Sequence, residues 1–379
     1  MTRTSYSERW LYQEMTLYPQ HLRARTSMLR KRIRKNDLDA FLVTNHRDVR
    51  YLTGFVGDDS WALVRARTSD LHVLSDFRFE EQIEREAPHV KAVMRKESLP
   101  EALAKLARLC RLKRIGLQAD GVTIAQRKAI ARKVGAKLVP IDDGLREQRA
   151  VKDHRELAQI RKAVKVTQDA FARTIQYLRP GQAEWQVAAY LEYQMRLLGA
   201  DGSSFPPIVA VDANSSLPHA IPGKTKLKRG CLVLLDWGAV VNGYCADLTR
   251  VVALGRMKPA IREIYQIVLE AHNAAIAAIV PGKALKDVDA VARDFIEGER
   301  FGDRFGHSLG HGVGLEVHEL PVLSSRSKGK LKVGHVVTVE PGIYLPGVGG
   351  VRIESDVLVT PRGAKVLSDL PTSLESAII

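Results

Sequence analysis

The chain has 379 residues, of which 45% are hydrophobic and 27% charged, and its formal net charge is +15. This length and composition predict a soluble protein of two domains with a sizeable core. No segment approaches the run of about twenty apolar residues that crosses a membrane, and the first residues lack an apolar signal core, so we expect a cytoplasmic protein without a membrane partner. The three cysteines are too few and too scattered to predict a disulfide framework or a zinc site.

The positive charge lies mainly in the first 150 residues, which hold 30 Lys+Arg against 19 Asp+Glu, whereas the remainder holds 28 against 24. Such an excess could indicate nucleic-acid binding. It is spread along amphipathic segments such as LRKRIRKNDLDAF, however, and no nucleic-acid module is recognisable. We therefore expect a solvated basic face and no nucleic-acid partner.

The first part of the chain alternates between helical and strand patterns. After an extension of unknown role at residues 1–20, a basic amphipathic helix is predicted over 21–36, followed by a strand over 40–44. Further strands are predicted in SWALVRA, DLHVLSD and RIGLQ, with helices around 78–86 and 99–112. This alternation predicts an α/β domain. The polar segment 141–156 is a connector, so we place the domains at 1–150 and 151–379.

Long helices begin the second part. Two are predicted in ELAQIRKAVKVTQDAFARTIQYL and EWQVAAYLEYQMRLLGA, and two more over 260–279 and 285–300. Strand patterns occur in CLVLLDWGAVV, GYCADLTRVVAL, HVVTVE and VRIESDVLV. The second domain is therefore predicted to combine long helices with a separate set of strands.

Two aspartates fall on a predicted hairpin. Asn242 and Gly243 separate two apolar runs, and both tolerate the positive φ of a type I′ turn. If Val241 pairs with Tyr244, then Gly238 faces Asp247, and Asp236 shares their face of the strands because side chains alternate. We expect the two carboxylates to converge, with Gly238 leaving the space between them open. Like charges on an apolar hairpin are costly unless a cation compensates them.

Two further acids repeat this anomaly. Glu340 ends the apolar strand HVVTVE, and Glu354 lies within VRIESDVLV. The glycine-flanked His311 in FGHSLGHGVGLEVHE adds a nitrogen ligand, and its glycines would let the backbone approach a metal closely. Four carboxylates and one histidine form a credible site for two divalent metal ions.

The order and flanking words of these five residues resemble the "pita-bread" dinuclear metallopeptidases, which include aminopeptidase P and prolidase. The words are LLDWGA, YCADLTR, GHGVGLEVHE, TVEPGIY and GVRIE, with a spacing of 11 positions from Asp236 to Asp247 and of 7 positions from His311 to His318. DAFLVTNHRDVRYLTGF and SDFRFEEQ also resemble the creatinase-type N-terminal domain of the proline-directed branch. The resemblance implies a creatinase-like α/β domain over 1–150 and an α+β pita-bread catalytic domain over 151–379.

The resemblance also implies a role for each residue. Asp236, Asp247, His311, Glu340 and Glu354 would hold two divalent metals, by family habit Mn²⁺, although Co²⁺ or Zn²⁺ would also suit these ligands. Glu340 would act as general base toward a water activated by the metals, with no covalent intermediate. The substrate histidines would be His318 and His219, with His307 lining the pocket. Arg352 would orient ligands or meet a substrate carboxylate.

The activity implied is cleavage between an N-terminal residue and a following proline, by a homodimer of the kind common in the family. The alternative is an Xaa-Pro dipeptidase. Dipeptide-specific members carry an arginine soon after the HE pair, where this chain has Val322, which favours an aminopeptidase unless Arg326 substitutes. A non-catalytic pita-bread binding protein and a creatinase-like hydrolase are disfavoured because all five ligands are present. Ser355 stands where the family often has an acid, and His272 and His335 fit no motif position and are read as structural.

Overall fold

The computed structural model describes residues 18–142 and 145–379, so most of the N-terminal extension lies outside the described residues. The chain divides into two compact units, the first ending at Gln148 and the second running from Arg149 to Ile379. The sequence prediction places this division between residues 150 and 151. Among the described residues, no helix has the length and apolar character needed to cross a membrane.

The first unit is built on one six-stranded sheet, and the predicted α/β fold is confirmed. The strand order is β4-β3-β2-β1-β5-β6, with β1, β5 and β6 parallel to one another and β2 antiparallel to both of its neighbours. The strands are β1 (Ala40–Val43), β2 (Trp61–Arg65), β3 (Leu71–Ser75), β4 (Lys91–Met94), β5 (Arg114–Gln118) and β6 (Lys137–Ile141).

Helices connect these strands, and their sequences contain the signals that begin them. Thr123 forms a capping box with Gln126, because each side chain accepts from the backbone N–H of the other residue. At Ser98, both the backbone N–H and the hydroxyl donate to the carboxylate of Glu101, three residues later. The helices of this part of the chain are α1 (Gln20–Lys35), α2 (His46–Thr53), α3 (Glu80–Glu86), α4 (Leu99–Leu109), α5 (Ile124–Lys133) and α6 (Arg146–Ala150).

Four long helices support the second unit. Asp153 caps the first of them by accepting from the backbone N–H groups of Arg155 and Glu156. Its buried positions recur every three or four residues, which lays one face of the helix on the core. The helices are α7 (His154–Tyr177), α8 (Glu184–Leu197), α9 (Pro259–Ala277) and α10 (Leu285–Gly298).

The strands of the second unit form several small antiparallel sheets. Their orders are β11-β10-β7, β12-β9-β8, β14-β13-β15-β18-β19 and β16-β17. The strands are β7 (Gly202–Ser203), β8 (Ile208–Val211), β9 (Leu232–Trp237), β10 (Ala239–Val241), β11 (Tyr244–Cys245), β12 (Leu248–Ala253), β13 (Gly310–Gly312), β14 (Glu319–Leu323), β15 (Val336–Val339), β16 (Gly342–Leu345), β17 (Gly349–Arg352), β18 (Ser355–Thr360) and β19 (Gly363–Val366).

The sheet β12-β9-β8 is buried on both faces. Val233, Leu235 and Trp237 point into the core that contains residues of α7 and α8, whereas Leu232 and Leu234 point into the core shared with α9, α10 and the five-stranded sheet. Asp236 has the parity of Leu232 and Leu234. An acidic side chain is therefore directed toward the interior, where the sheet β12-β9-β8 and the five-stranded sheet meet.

Two of the predicted strand runs are divided in the structure. CLVLLDWGAVV becomes β9 and β10, with Gly238 between them. VRIESDVLV becomes the end of β17 and the start of β18, two strands of different sheets, with Ile353 and Glu354 at the junction. The prediction of one strand through Glu354 is therefore wrong, since an uninterrupted apolar pattern does not reveal a change of sheet.

Candidate metal centre

The predicted hairpin register is confirmed. Val241 pairs with Tyr244, and the same register continues to Leu248 opposite Trp237 and Thr249 opposite Asp236. Between these pairs, the N–H of Ala246 donates to the carbonyl oxygen of Ala239 at 3.0 Å. Asp236 and Asp247 thus lie on one face of the hairpin, and both are buried.

Glycine is required at position 238 for a reason different from the one predicted. A Cβ at this position would lie 1.8 Å from the carbonyl oxygen of Ala246 in the opposite strand. The glycine permits the two backbones to approach each other, beside the pair of aspartates, and does not simply leave room between the carboxylates.

His311 lies at the centre of β13, in the five-stranded sheet. A Cβ at Gly310 would lie 2.0 Å from the carbonyl oxygen of Thr338, and one at Gly312 would lie 2.2 Å from that of Leu320. The glycines beside His311 therefore bring neighbouring backbone close to β13, a role that was not predicted from the sequence. The His311 N–H donates to the hydroxyl of Thr338 at 3.0 Å, which fixes the strand beside β15.

The two glutamates lie next to strands of the five-stranded sheet. Glu340 comes directly after β15 and its Oε1 accepts a hydrogen bond from the Thr338 hydroxyl at 3.1 Å. Glu354 precedes β18, and its Oε2 accepts from the hydroxyl of Thr249 at 2.6 Å. Because Thr249 is opposite Asp236 in the hairpin, this hydrogen bond joins the two sheets at the site.

The five predicted ligands converge. One ligand atom from each of Asp247, His311 and Glu354 lies within 4.8 Å of the others. His311 Nε2 is 3.2 Å from Glu340 Oε1 and 3.7 Å from Asp247 Oδ2. The charge of Asp236 acts on both Asp247 and Glu354, so the fifth residue belongs to the same cluster.

Burial and mutual repulsion shift the pKa values of these groups. Burial, followed by the charges of neighbouring carboxylates, raises the pKa of Asp247 and Glu354 well above their usual range. Burial also raises the pKa of Glu340, but the hydrogen bond and charge of His311 outweigh it and bring the value to about 2. Burial lowers the pKa of His311, and Glu340 raises it further than burial lowers it. Without metal, the pair of Glu340 and His311 therefore holds a proton, and a bound cation would displace that proton.

Arg352 is buried beside Asp236 and is no surface residue. Its Nη2 donates to Asp236 Oδ2 at 2.5 Å, its Nε to the Thr249 hydroxyl at 3.1 Å, and its Nη1 to the Tyr344 hydroxyl at 2.8 Å. Tyr344 lies 2.9 Å from His307 Nε2, so a hydrogen-bonded chain runs from His307 through Tyr344 and Arg352 to Asp236. Of the two predicted roles for Arg352, the structure shows the contact that orients a ligand.

The other two predicted substrate histidines lie beside the cluster and are exposed. The ring of His318 is 4.3 Å from that of His311, between centroids. Burial lowers the pKa of His318, as do the charges of His311 and of His219, so all three lie in one neighbourhood. Arg352 Nη1 also lies 3.4 Å from the carbonyl oxygen of Pro218, which places the chain next to His219 at the same site.

Several polar residues around the ligands were missed from the sequence. Thr249 could have been found, because the hairpin register puts it opposite Asp236. Asp356 is buried and accepts the N–H of Asp247 at 3.0 Å, and burial raises its pKa to about 7. An acid therefore supports the ligands from the position after Ser355. No sequence signal identified Tyr344 or Thr338.

A second buried charge cluster lies next to His318. Glu319 accepts from Arg149 and, at 3.2 Å, from Lys152, and Arg149 also donates to Glu316 at 2.8 Å. Glu319, Arg149 and Lys152 are all buried. The charges of these two cations outweigh the effect of burial and lower the pKa of Glu319. The HE pair thus has one exposed histidine and one buried, fully paired glutamate.

The donor set fits divalent metals. Four carboxylates and one imidazole nitrogen face one another, with the buried guanidinium groups of Arg352 and Arg250 interacting with Asp236 and Glu354, and oxygen-rich sets of this kind suit hard or borderline cations. Buried like charges without a cation would be costly. A buried carboxylate and histidine cluster flanked by exposed histidines, on this two-unit α/β and α+β fold, defines a metal-dependent hydrolase.

Comparison with known proteins identifies the family. Residues 158–361 match Metallopeptidase family M24, and residues 25–151 match the Creatinase/Prolidase N-terminal domain. The chain therefore belongs to metallopeptidase family M24 and is a peptidase, and the family implies divalent metal ions. The predicted pita-bread fold is confirmed.

Named relatives are similar over nearly the whole chain. The Xaa-Pro dipeptidase of Pyrococcus horikoshii is 34% identical over 88% of this chain and 93% of its own length. The solved structure of the Xaa-Pro dipeptidase from Bacillus anthracis is 35% identical, with a TM-score of 0.91 over 94% of this chain and 100% of its own. That of the X-Pro aminopeptidase from Thermotoga maritima is 36% identical, with a TM-score of 0.86 over 92% and 100%.

Proposed function

We propose that this peptidase hydrolyses the bond between an N-terminal residue and a following proline, as an Xaa-Pro aminopeptidase. The observation that carries the proposal is the cluster of four carboxylates and His311 with the exposed His318 ring 4.3 Å away. A peptide carbonyl that reached the cluster would meet an imidazole directly beside it. The names of the similar proteins support a substrate with proline at its second position.

The residues would divide the work by their environments. Divalent ions bound by Asp236, Asp247, His311, Glu340 and Glu354 would supply Lewis acidity and lower the pKa of water. Glu340 is a buried carboxylate 3.2 Å from His311 Nε2, and a carboxylate at this place can accept the proton of the attacking water. His318 and His219 are exposed and can donate hydrogen bonds to the substrate carbonyl and its oxyanion. Arg352 holds the Asp236 carboxylate in place.

The second candidate is an Xaa-Pro dipeptidase. The dipeptidases among the similar proteins favour it. Against it, Val322 pairs directly with His311, so the position after the HE pair presents an apolar side chain to the cluster where dipeptide-specific members have an arginine. Arg326 follows the end of β14 and is exposed. A dipeptide's free carboxylate therefore gains no cation from position 322.

Two measurements test the proposal. The first compares hydrolysis of an Xaa-Pro dipeptide with that of an Xaa-Pro-Yaa tripeptide by the metal-loaded protein. We expect cleavage of both, with release of the first residue from the tripeptide. Cleavage of the dipeptide alone would replace the aminopeptidase by the dipeptidase.

The second measurement concerns the metal and the general base. We propose Mn²⁺ as the native metal by family habit, since the ligand set would also suit Co²⁺ or Zn²⁺, and metal analysis of protein purified without added metal tests this. Glu340→Gln should abolish peptidase activity. Wild-type protein that binds no divalent metal and shows no metal-activated peptidase activity would overturn the enzymatic reading in favour of a binding protein.

The remaining proposals concern the protein's surroundings. We propose that it is a cytoplasmic homodimer without a nucleic-acid partner. Family habit supports the dimer. The absence of a nucleic-acid partner is supported by the spread of the excess charge along amphipathic segments such as LRKRIRKNDLDAF, without a recognisable nucleic-acid module. Sedimentation equilibrium and a nucleic-acid binding assay at physiological salt test the two points.

A further inference from the structure

Glu184 is a buried acid that the mechanism does not use. It is the first residue of α8 and is only 1% exposed. Its Oε1 accepts from the Val211 N–H at 2.7 Å and from Asn214 Nδ2 at 2.8 Å, and its Oε2 accepts from the Gly223 N–H at 2.9 Å. One carboxylate thus satisfies three donors.

These donors lie at the two ends of one segment. Val211 ends β8, and Gly223 comes after the residues that include His219. We call residues 212–222 the His219 segment. Because one oxygen of Glu184 holds its beginning and the other holds its end, the carboxylate closes the segment into a loop. The backbone of α8 adds to this clamp, since the Glu184 N–H donates to Thr225 at 3.0 Å and the Trp185 N–H to Gly223 at 3.2 Å.

The far side of the His219 segment is fixed to the metal centre. The hydroxyl of Ser215 accepts from the Gly350 N–H at 2.8 Å, and a Cβ at Gly350 would lie 2.3 Å from the Ser215 carbonyl oxygen. Arg352, which holds Asp236, also lies 3.4 Å from the Pro218 carbonyl oxygen. The segment therefore lies between Glu184 on one side and the strand that carries Arg352 on the other.

We propose that Glu184 is a positioning residue for His219, and that it sets the distance of this exposed histidine from the substrate while leaving the metal ligands untouched. The inference rests on the proposed function for the role of His219. A carboxylate suits the task because charge-assisted hydrogen bonds to backbone N–H groups are strong. A glutamine of the same shape has only one acceptor atom, so either the beginning or the end of the segment would face an amide N–H group and lose its hydrogen bond.

The test is Glu184→Gln in the metal-loaded protein, with Glu192→Gln as the matched control on the exposed face of the same helix. We expect Glu184→Gln to lower kcat/KM for an Xaa-Pro-Yaa peptide by about tenfold or more, the size of one lost charge-assisted hydrogen bond, with unchanged metal stoichiometry and affinity. Glu192→Gln should leave all of these values unchanged. His219→Ala should reduce kcat/KM much less in the Glu184→Gln background than in the wild type.

Amide hydrogen exchange gives a readout that does not depend on activity. Glu184→Gln should speed exchange in the His219 segment and leave β9, β12 and β13 unchanged. Asn214→Ala removes one of the three hydrogen bonds to Glu184, together with the bond from Asn214 to the Thr225 hydroxyl. It leaves both backbone N–H groups bound to the carboxylate and should show a smaller effect in the same place, which keeps the test valid if Glu184→Gln folds poorly. If Glu184→Gln shows the expected exchange pattern but the wild type has no Xaa-Pro activity, the proposed function fails while the hold of Glu184 on the segment stands. The positioning role would be overturned if Glu184→Gln and His219→Ala had additive effects on kcat/KM. It would also be overturned if Glu184→Gln lost metal binding while exchange in the His219 segment stayed unchanged.

Discussion

Removing the Arg352 guanidinium should destabilise the metal-free protein much more than the metal-loaded one. Arg352→Met keeps an unbranched apolar stem but removes the partner 2.5 Å from Asp236 Oδ2. Arg352 and Asp236 are 3% and 8% exposed, so Asp236 would stay buried without its cation. Loss of one partner from a buried ion pair costs about 3–5 kcal/mol. We expect this loss in the free energy of unfolding of the metal-free protein.

With divalent ions bound, Asp236 keeps a positive partner. The remaining loss is then that of the hydrogen bonds to Tyr344 and Thr249, about 1 kcal/mol each. The difference between the two forms is about 1–3 kcal/mol. By the thermodynamic cycle, this difference must appear as tighter metal binding in the variant, by about 5- to 150-fold.

The assay is urea unfolding of both forms at pH 8, with calorimetric titration of the metal-free protein by Mn²⁺. Arg293→Met is the matched control, because Arg293 pairs with the buried Asp289 on α10 at 2.9 Å and neither residue is a predicted ligand. It should cost the same in both forms. Equal destabilisation of both forms by Arg352→Met, or weaker metal binding, would refute the argument that the guanidinium compensates Asp236 in place of a metal.

Three further changes test other parts of the second unit. Gly238→Ala places a Cβ 1.8 Å from the Ala246 carbonyl oxygen. It should lower the free energy of unfolding in urea by about 1–3 kcal/mol or more, and it should weaken metal binding. Unchanged metal affinity would contradict the close approach of the strands beside the two aspartates. Glu319→Gln removes the carboxylate that Lys152 contacts and leaves Arg149 with its pair to Glu316, so it should cost about 3–5 kcal/mol, with the half-buried Glu316→Gln as the milder control. A loss below about 1 kcal/mol would show that the two cations find other partners. Burial lowers the pKa of His272 from 6.5 to about 3, so the unfolded chain binds a proton that the folded protein does not. Wild-type stability should therefore fall as the pH is lowered below 6.5, by about 3 kcal/mol at pH 4 from this group, and His272→Leu should fall less; parallel stability curves would show that His272 is not held neutral.

The hairpin was predictable because its information is local. Asn242 and Gly243 fix the turn, the turn fixes the register, and the register puts Asp236 and Asp247 on one face. The same arithmetic identifies Thr249, which sequence reasoning did not pursue. The long helices were likewise predictable from their caps and apolar spacing.

The contacts between distant segments were not predictable in this way. Glu354 lies where the chain passes from one sheet to another, and a continuous apolar pattern gives no sign of that change. Tyr344 matters because it meets both His307 and Arg352, and this depends on how β16 packs. In the sequence, Glu184 looks like an ordinary first residue of a helix. Its carboxylate nevertheless holds both ends of the His219 segment, which begins only after β8.

The hydrogen bond between Thr249 and Glu354 joins two sheets that must separate when the second unit unfolds. Asp236 and Asp247 belong to the sheet β12-β9-β8, whereas His311, Glu340 and Glu354 belong to or adjoin the five-stranded sheet. Ions held by all five residues would cross-link the two sheets, so the sheets could not separate until the ions had left. Metal loading should then act as a kinetic lock, slowing unfolding and proteolysis of the second unit to the pace of metal release. A chelator would be expected to shorten the lifetime of this peptidase even under conditions where its metal-free form is still stable at equilibrium.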